Sequence, residues 1–148
     1  MDTNKDRADR RQRTGMGVVG VILREDRFLL IRRSKTVTAP GFVCFAGGGV
    51  EAGESEQDAL VREMQEELAI DIVPTQRIWE SVTRWGTELG WWLIEAAHDL
   101  DPVPNPAEVE EIFWLKRSEI TPRRDLLGSM PDFLGAWQQG AFKLPIDY

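Results

Sequence analysis

The stretch of residues 48–70, GGVEAGESEQDALVREMQEELAI, decides the fold. Within it, Ser55 followed three residues later by Asp58 is a capping-box-like start of a helix. The apolar residues after that start recur at helical spacing and share one side; they are Leu60, Val61, Met64 and Leu68. The pattern predicts a helix over residues 55–69 that packs one side on a core.

The adjoining side of this helix carries Glu63, Glu66 and Glu67, with Glu56 on the same side. Like charges at these spacings destabilise an isolated helix by about 0.2–0.5 kcal/mol per pair. Such a side is either a solvated acidic surface or a site for a hard divalent cation, which prefers oxygen ligands. Spacing alone does not choose between the two. The glycine run at 47–49 favours the cation site, because a bare backbone can approach the carboxylates and offer carbonyl oxygens.

The same stretch resembles the signature of the Nudix hydrolases: Gly, five residues, Glu, seven residues, then Arg-Glu-apolar-x-Glu-Glu-x-Gly-apolar. The matching positions are Gly48, Glu54, Arg62, Glu63, Met64, Glu66, Glu67 and Ile70. Ala69 stands where the family has glycine. Glycine there would supply a left-handed helix end, a conformation that costs alanine about 1 kcal/mol, so we expect the helix to end differently.

The resemblance implies an α/β fold in which a mixed β-sheet is sandwiched between α-helices. It also implies a hydrolase that uses Mg²⁺ or Mn²⁺ to cleave the pyrophosphate bond of a nucleoside diphosphate linked to another group, such as a nucleoside triphosphate. The family's cation ligands correspond to four positions, namely Glu63, Glu66, Glu67 and the carbonyl of Gly47. Arg62 would brace the glutamates, through a salt bridge with Glu54.

The resemblance leaves the proton acceptor open between Glu66 and Glu67. A further carboxylate often comes from beyond the signature, and Glu108, Glu110 and Glu111 are candidates, of which Glu111 is favoured. Two other functions stay open: a nucleotide-binding or sensor module without turnover, and a Nudix-type isomerase. In such binding modules the cation-binding glutamates are usually lost, whereas this sequence keeps all three.

The remaining sequence predicts mostly strands. Two β-branched apolar runs at 16–23 and 27–33, joined by a short polar turn, predict a hairpin. Further strands are expected at 42–45, 72–85, 91–97 and 110–116, with a loop at 47–54, a hairpin loop at 86–90 and a last helix at 131–139.

Three residues outside the signature are candidates for substrate binding. Trp85 and Trp92 flank the 86–90 loop, where an indole ring could stack on a nucleobase. Arg32 and Arg33 alternate on one strand, so one of them could reach a phosphate, and Arg32 is the candidate. The alternative for each is ordinary packing or a solvated surface position.

Composition bounds the remaining possibilities. The 148 residues carry a net charge of −7, one cysteine and one histidine, which excludes an internal disulfide and a multi-cysteine zinc site. Net acidity argues against binding of duplex nucleic acid, and no apolar run predicts a membrane span or a secretory signal. We therefore expect a cytoplasmic protein with a disordered tail at 1–13 and a single domain at 14–148. Its partner would be a small nucleotide, and a homodimer is compatible with the resemblance.

Overall fold

The structure is a computed structural model that describes residues 15–148, so the predicted disordered tail lies outside the described residues. Its strands are β1 (Met16–Arg24), β2 (Arg27–Arg33), β3 (Val43–Cys44), β4 (Gly47–Gly49), β5 (Gln76–Val82), β6 (Glu88–Glu95) and β7 (Val109–Lys116). Its helices are α1 (Glu56–Leu68), α2 (Arg117–Ile120) and α3 (Ser129–Gln138). None of these helices is long and apolar enough to cross a membrane.

The strands form one mixed sheet around β1. One edge of β1 pairs in parallel with β6, and β5 then pairs antiparallel with β6. The other edge of β1 pairs antiparallel with β4 near its start and with β2 near its end. β2 continues the sheet through antiparallel pairing with β3 and β7. This arrangement confirms the expected mixed sheet. It places the glycine run of β4 beside the first half of the central strand β1.

Helices cover both faces of the sheet, as expected. On one face, α1 packs so closely that a Cβ at Gly20 of β1 would lie 2.6 Å from Cε of Met64. A Cβ at Gly90 of β6 would overlap the carboxylate of Glu56. On the other face, the Phe133 ring of α3 stacks on Trp91 with ring centroids 5.1 Å apart. Glycines on the sheet thus set how near α1 can lie.

The N-terminus of α1 is as the sequence predicts, whereas its C-terminus differs from the prediction. Ser55 is the N-cap, and its Oγ accepts a hydrogen bond from the backbone N–H of Asp58 at 3.0 Å. At the C-terminus, Ala69 itself adopts the left-handed conformation, with φ 53° and ψ 40°. The expectation of a different exit was wrong, because the backbone N–H groups of Ala69 and Ile70 bond to the last turn of α1 and hold this geometry.

Several predicted boundaries shift in the structure. The glycine run is a short strand and not a loop, because its backbone pairs with β1 from Gly17 to Val19 and pairing needs no side chain. β5 is shorter than the predicted 72–85, and β6 begins at Glu88, within the predicted hairpin loop. The 16–23 and 27–33 strands and the 55–69 helix are confirmed to within a residue or two.

The left-handed alanine yields a first prediction, which is that Ala69→Gly raises stability by about 0.5–1 kcal/mol. Glycine removes the Cβ strain of the left-handed conformation at a smaller entropic cost. The midpoint of thermal unfolding should rise by about 2–4 °C. Ala59→Gly makes the same chemical change inside α1, where it should lower the midpoint. An unchanged or lower midpoint for Ala69→Gly would show that the helix end is unstrained.

Candidate active site

Two of the three signature glutamates are buried between α1 and β4. Glu63 is 1% exposed and Glu67 is 7% exposed, whereas Glu66 is only partly buried. A Cβ at Gly48 would overlap the carboxylate of Glu63, so glycine is required for this side chain to reach the strand. The glycine run therefore provides the space that these carboxylates occupy.

Arg62 is the cation at the centre of the carboxylates. Its Nε and Nη2 donate to both oxygens of Glu54 at 2.8 and 2.9 Å, which is the salt bridge that the sequence led us to expect. Its Nη1 donates to Glu63 at 2.9 Å and to Glu66 at 3.3 Å. A further bond reaches the carbonyl of Gly49 at 2.9 Å, so one guanidinium joins α1 to β4 and to the loop between them. Burial lowers the pKa of Arg62, but Glu54 and Glu63 raise it by more, and the group stays charged.

Glu67 has a different environment, because its nearest charges are mostly negative. The backbone N–H of Gly47 donates to its Oε2 at 3.1 Å. Burial, followed by the charges of Glu63 and Glu108, raises the pKa of Glu67 well above its ordinary value, although Gly47 and Arg33 act in the opposite direction. Glu108, which lies just before β7, thus contributes a carboxylate from outside the signature. Its Oε2 is buried and accepts no hydrogen bond from the described residues.

The segment before β7 also fixes the end of α1, a role that the sequence did not reveal. The backbone N–H of Asn105 donates to the carbonyl of Glu67 at 2.9 Å, and its side-chain amide donates to the carbonyl of Glu66 at 3.1 Å. These contacts satisfy carbonyl groups that the last turn of a helix leaves unpaired. A proline-rich loop gives no local signal that it will cap a helix almost forty residues away.

The donor set fits a hard divalent cation. Glu63, Glu66 and Glu67 lie on one side of α1. The charge of Glu108 acts on Glu67, and its buried Oε2 has no hydrogen-bond partner among the described residues. Oxygen ligands of this kind suit Mg²⁺ and Mn²⁺. Within residues 15–148 no group of three or more acidic, cysteine or histidine side chains is arranged so that it could hold a metal ion as the side chains stand. Arg62 instead holds Glu63 and Glu66, and the N–H of Gly47 holds Glu67.

An open cleft of about 880 Å³ adjoins the glycine strand. Its floor includes β4, Cys44 and the buried Trp91, and its rim carries the exposed side chains of Phe42 and Trp85. Arg33 also lines the cleft, and Thr38 orients its guanidinium through hydrogen bonds of 2.6 and 3.0 Å. The cleft is therefore apolar at its rim and positively charged near the glutamates.

The structure places the other predicted site residues as follows. Trp85 lines the cleft, as the stacking hypothesis requires. Trp92 does not; it faces α1, where its indole N–H donates to Glu56 at 3.0 Å. The expectation for Trp92 is corrected, because strand alternation turns Trp91 towards the cleft in its place.

Arg32 and Glu111 also need correction. They lie opposite each other on β2 and β7 and form an ion pair of 3.3 Å, outside the cleft lining. Alternation turns Arg33 into the cleft in place of Arg32. The charge of Glu108 acts on Glu67, whereas Glu111 is paired with Arg32. Arg33 and Glu108 are both among the candidates that the sequence offers, but its pattern does not show which of two alternating or neighbouring residues faces the site.

Comparison with known proteins identifies the family of the chain. The family model described as NUDIX domain matches residues 12–134. The chain belongs to the Nudix hydrolase family. A relative named NAD-capped RNA hydrolase NudC, from Stutzerimonas stutzeri, is 32% identical over 106 residues, covering 69% of this chain and 36% of that protein. The CTP pyrophosphohydrolase of Escherichia coli is 44% identical over 54 residues, covering 36% of this chain and 40% of that protein. The chain thus spans well under half the length of these Nudix relatives.

Solved structures share the Nudix fold. The MutT protein of Methanosarcina mazei superposes with a TM-score of 0.71 at 23% identity, covering 86% of this chain and 95% of that one. A binary complex of the Caenorhabditis elegans Ap4A hydrolase superposes with a TM-score of 0.66 at 22% identity, covering 84% and 98%. At these identities the structures establish the architecture alone.

The buried carboxylates give a second prediction: Glu67→Gln stabilises the protein without cations and removes its stabilisation by cations. The amide keeps an oxygen for the N–H of Gly47 but carries no charge beside Glu63, so the free energy of unfolding at neutral pH should rise by on the order of 1 kcal/mol. Wild-type protein should unfold at a higher temperature when MnCl₂ is added, and the variant should not.

The matched control is Glu80→Gln, which changes an exposed glutamate of β5. It should leave both the unfolding temperature and the response to MnCl₂ as in the wild-type protein. A Glu67→Gln variant that is still stabilised by MnCl₂ to the wild-type extent would remove this residue from the cation site.

Proposed function

We propose that this protein is a divalent-cation-dependent hydrolase that cleaves the pyrophosphate bond of a nucleoside diphosphate linked to another group. The observation that carries the proposal is the packing of Glu63 and Glu67 of α1 on the glycine strand β4, at the edge of a cleft of about 880 Å³. Carboxylates alone would repel a pyrophosphate, so the arrangement has a use for this substrate class only with a cation. We propose that residues 14–148 act as one domain in this reaction.

Four positions would hold Mg²⁺ or Mn²⁺ in this proposal. They are the carboxylates of Glu63, Glu66 and Glu67 and the carbonyl of Gly47. A cation bound there supplies positive charge for the phosphate oxygens and lowers the pKa of a coordinated water. The charge of Glu108 acts on Glu67, and in this proposal its carboxylate would join the set or hold a water beside it.

The protein's own groups would orient the reactants. Arg62 fixes the directions of Glu63 and Glu66 through one shared nitrogen, Nη1. We assign the acceptance of the proton from the attacking water to the carboxylate of Glu66. Its side chain is 20% exposed, whereas that of Glu63 is 2% exposed, so water has access to Glu66. Arg33, which lines the cleft and whose charge reaches Glu67, would attract the phosphate chain.

The cleft would take the nucleoside end of the substrate. Its apolar rim suits a planar base, and Trp85 presents a large exposed ring there. The names of the relatives suggest a first panel for the assay: the four nucleoside triphosphates including CTP, NAD, NAD-capped RNA and a dinucleoside tetraphosphate. A small nucleotide is the partner that this cleft fits, and we propose no role for duplex nucleic acid.

The third prediction tests the reaction itself. With MgCl₂ or MnCl₂, the protein should release nucleoside monophosphate from at least one compound of the panel, and EDTA should stop the release. Glu66→Gln should lower kcat by about 10²–10⁴-fold, the range expected for loss of a general base. Glu80→Gln should retain the wild-type rate.

Two outcomes would contradict the proposal in different ways. Binding of a nucleotide without cleavage of any compound under either cation would favour the sensor module. Rearrangement of a diphosphate compound without release of phosphate or monophosphate would favour the isomerase. A Glu66→Gln variant with wild-type kcat would leave the hydrolase standing but move the proton acceptor to another residue.

The fourth prediction concerns Trp85. Trp85→Ala should raise KM by about 5–150-fold, corresponding to the 1–3 kcal/mol of a base–aromatic stack, with kcat within about twofold of the wild-type value. Trp85→Phe keeps an aromatic ring and should recover most of the affinity. An alanine variant with unchanged KM for every cleaved nucleotide would show that the base lies elsewhere.

A further inference from the structure

We propose that Arg32 is a positioning residue: one guanidinium anchors the two loops that form the outer wall of the cleft, and so sets the cleft's shape. The consequence for substrate affinity rests on the proposed function above, whereas the structural claim does not. Arg32 is separate from the signature and lines no part of the cleft itself.

The guanidinium of Arg32 contacts three elements at once. Its Nη1 donates to the carbonyl of Gly41 at 2.8 Å, in the loop between β2 and β3. The same nitrogen donates to Oδ2 of Asp125 at 3.2 Å, in the loop between α2 and α3. Its Nε donates to Glu111 of β7 at 3.3 Å. Two loops that are distant in sequence therefore share one partly buried anchor, whose side chain is 24% exposed.

Both anchored loops run directly into the cleft wall. Gly41 precedes Phe42, which stands at the rim. The backbone carbonyl of Asp125 accepts the N–H of Val43 at 2.8 Å, and the carbonyl of Val43 accepts the N–H of Leu127 at 2.9 Å. Leu127 lines the cleft. A displacement of Gly41 or Asp125 would thus be transmitted to the wall within one or two residues.

Asp125 has a second partner, Arg123, within the same loop. Both of its carboxylate oxygens accept hydrogen bonds from Arg123 at 2.9 Å. The hydrogen bonds from Arg123 lower the pKa of Asp125, burial raises it by less, and the hydrogen bond from Arg32 lowers it further. The pKa therefore lies below its ordinary value, and Asp125 stays charged at neutral pH. The ring of Phe113 lies under both guanidinium groups, 5.5 Å from that of Arg32 and 4.8 Å from that of Arg123. Loss of Arg32 alone therefore loosens the wall but leaves the pair of Arg123 and Asp125 against the Phe113 ring.

The contact pattern requires an arginine. A planar guanidinium presents several donors in fixed directions, so it can bond the carbonyl, the aspartate and the glutamate together. A lysine ammonium is a single point of charge and cannot hold the same three acceptors in these directions. Arg32→Lys should therefore behave as a partial loss, although it keeps the charge.

Cys44 provides a reporter that needs no substrate. It is the only cysteine of the chain, follows Val43, lines the cleft and is 5% exposed. Its thiol has a pKa raised to about 11 by burial, so it reacts slowly while the wall is closed. A loosened wall exposes this thiol to reagents.

The experiment measures the rate at which a neutral maleimide labels Cys44 in the 148-residue chain. Arg32→Ala and Asp125→Asn should label at least about fivefold faster than wild type, with Arg32→Lys in between. Arg27→Ala is the matched control, because Arg27 lies on the same strand and forms an exposed ion pair with Glu119. It should label at the wild-type rate.

Hydrogen exchange separates a loosened wall from general unfolding. In Arg32→Ala the amides of Val43 and Leu127 should lose protection, while amides in the β1–β6 pairing keep theirs. Equal loss in the β1–β6 pairing would overturn the proposal, since the residue would then stabilise the whole domain. Wild-type labelling rates in both Arg32→Ala and Asp125→Asn would overturn it as well.

A kinetic arm uses the panel nucleotide that wild-type protein cleaves fastest. Arg32→Ala and Asp125→Asn should raise its KM at least about fivefold with kcat within about twofold, and the affinity for Mn²⁺ should not change. A fall in kcat at constant KM would overturn the assignment to the wall. If no nucleotide is cleaved, the proposed function fails, and the labelling and exchange experiments still decide whether Arg32 holds the loops.

Discussion

Burial of negative charge between α1 and β4 is the constraint on which the rest of the structure depends. Glu63 and Glu67 are nearly inaccessible to water, and buried carboxylates are costly unless a charge or a hydrogen bond compensates them. Arg62 compensates Glu63 and at the same time reaches Glu54 and Glu66. Among residues 15–148, Glu67 accepts a hydrogen bond from the N–H of Gly47 and is favoured by the charge of Arg33, but burial and the charges of Glu63 and Glu108 outweigh both. This imbalance is what a cation would correct.

The opposite face of the sheet is packed with aromatic side chains, which stabilise the fold against the cost of the buried carboxylates. There Phe133 of α3 packs against Phe45, Trp91 and Phe142 with ring centroids 5.0–5.1 Å apart. Large aromatic side chains bury more apolar area than any others and gain further from their ring geometry. The face of the sheet under α3 is therefore packed with aromatic rings, whereas the face under α1 combines an apolar contact with the buried carboxylates of Glu63 and Glu67.

The sequence predicted α1 and its carboxylates well because both depend on local spacing. The N-cap at Ser55, the apolar side and the signature glutamates all follow from residues within about four turns of one another. Outside that stretch the prediction was weaker wherever it depended on a choice between alternating residues. Arg32 and Arg33 differ by one position, and a strand's pattern shows that they face apart without showing which faces the cleft. A register shift between them in the pairing with β7 adds to this ambiguity.

Long-range contacts account for the other errors. Glu108 and Asn105 act on α1 across about forty residues of chain, and Ala69 keeps a left-handed geometry because bonds from its own turn favour it over the preference of alanine.

The two sides of the site are also built by different means. On the α1 side, a Cβ added at Gly20, Gly48 or Gly90 would meet the end of a side chain of α1, so a substitution there requires that side chain to move. The cleft wall is instead built of two loops that share the guanidinium of Arg32, so a substitution there changes the wall without altering α1. A lineage could therefore acquire new substrates by altering the wall while its chemistry stayed the same.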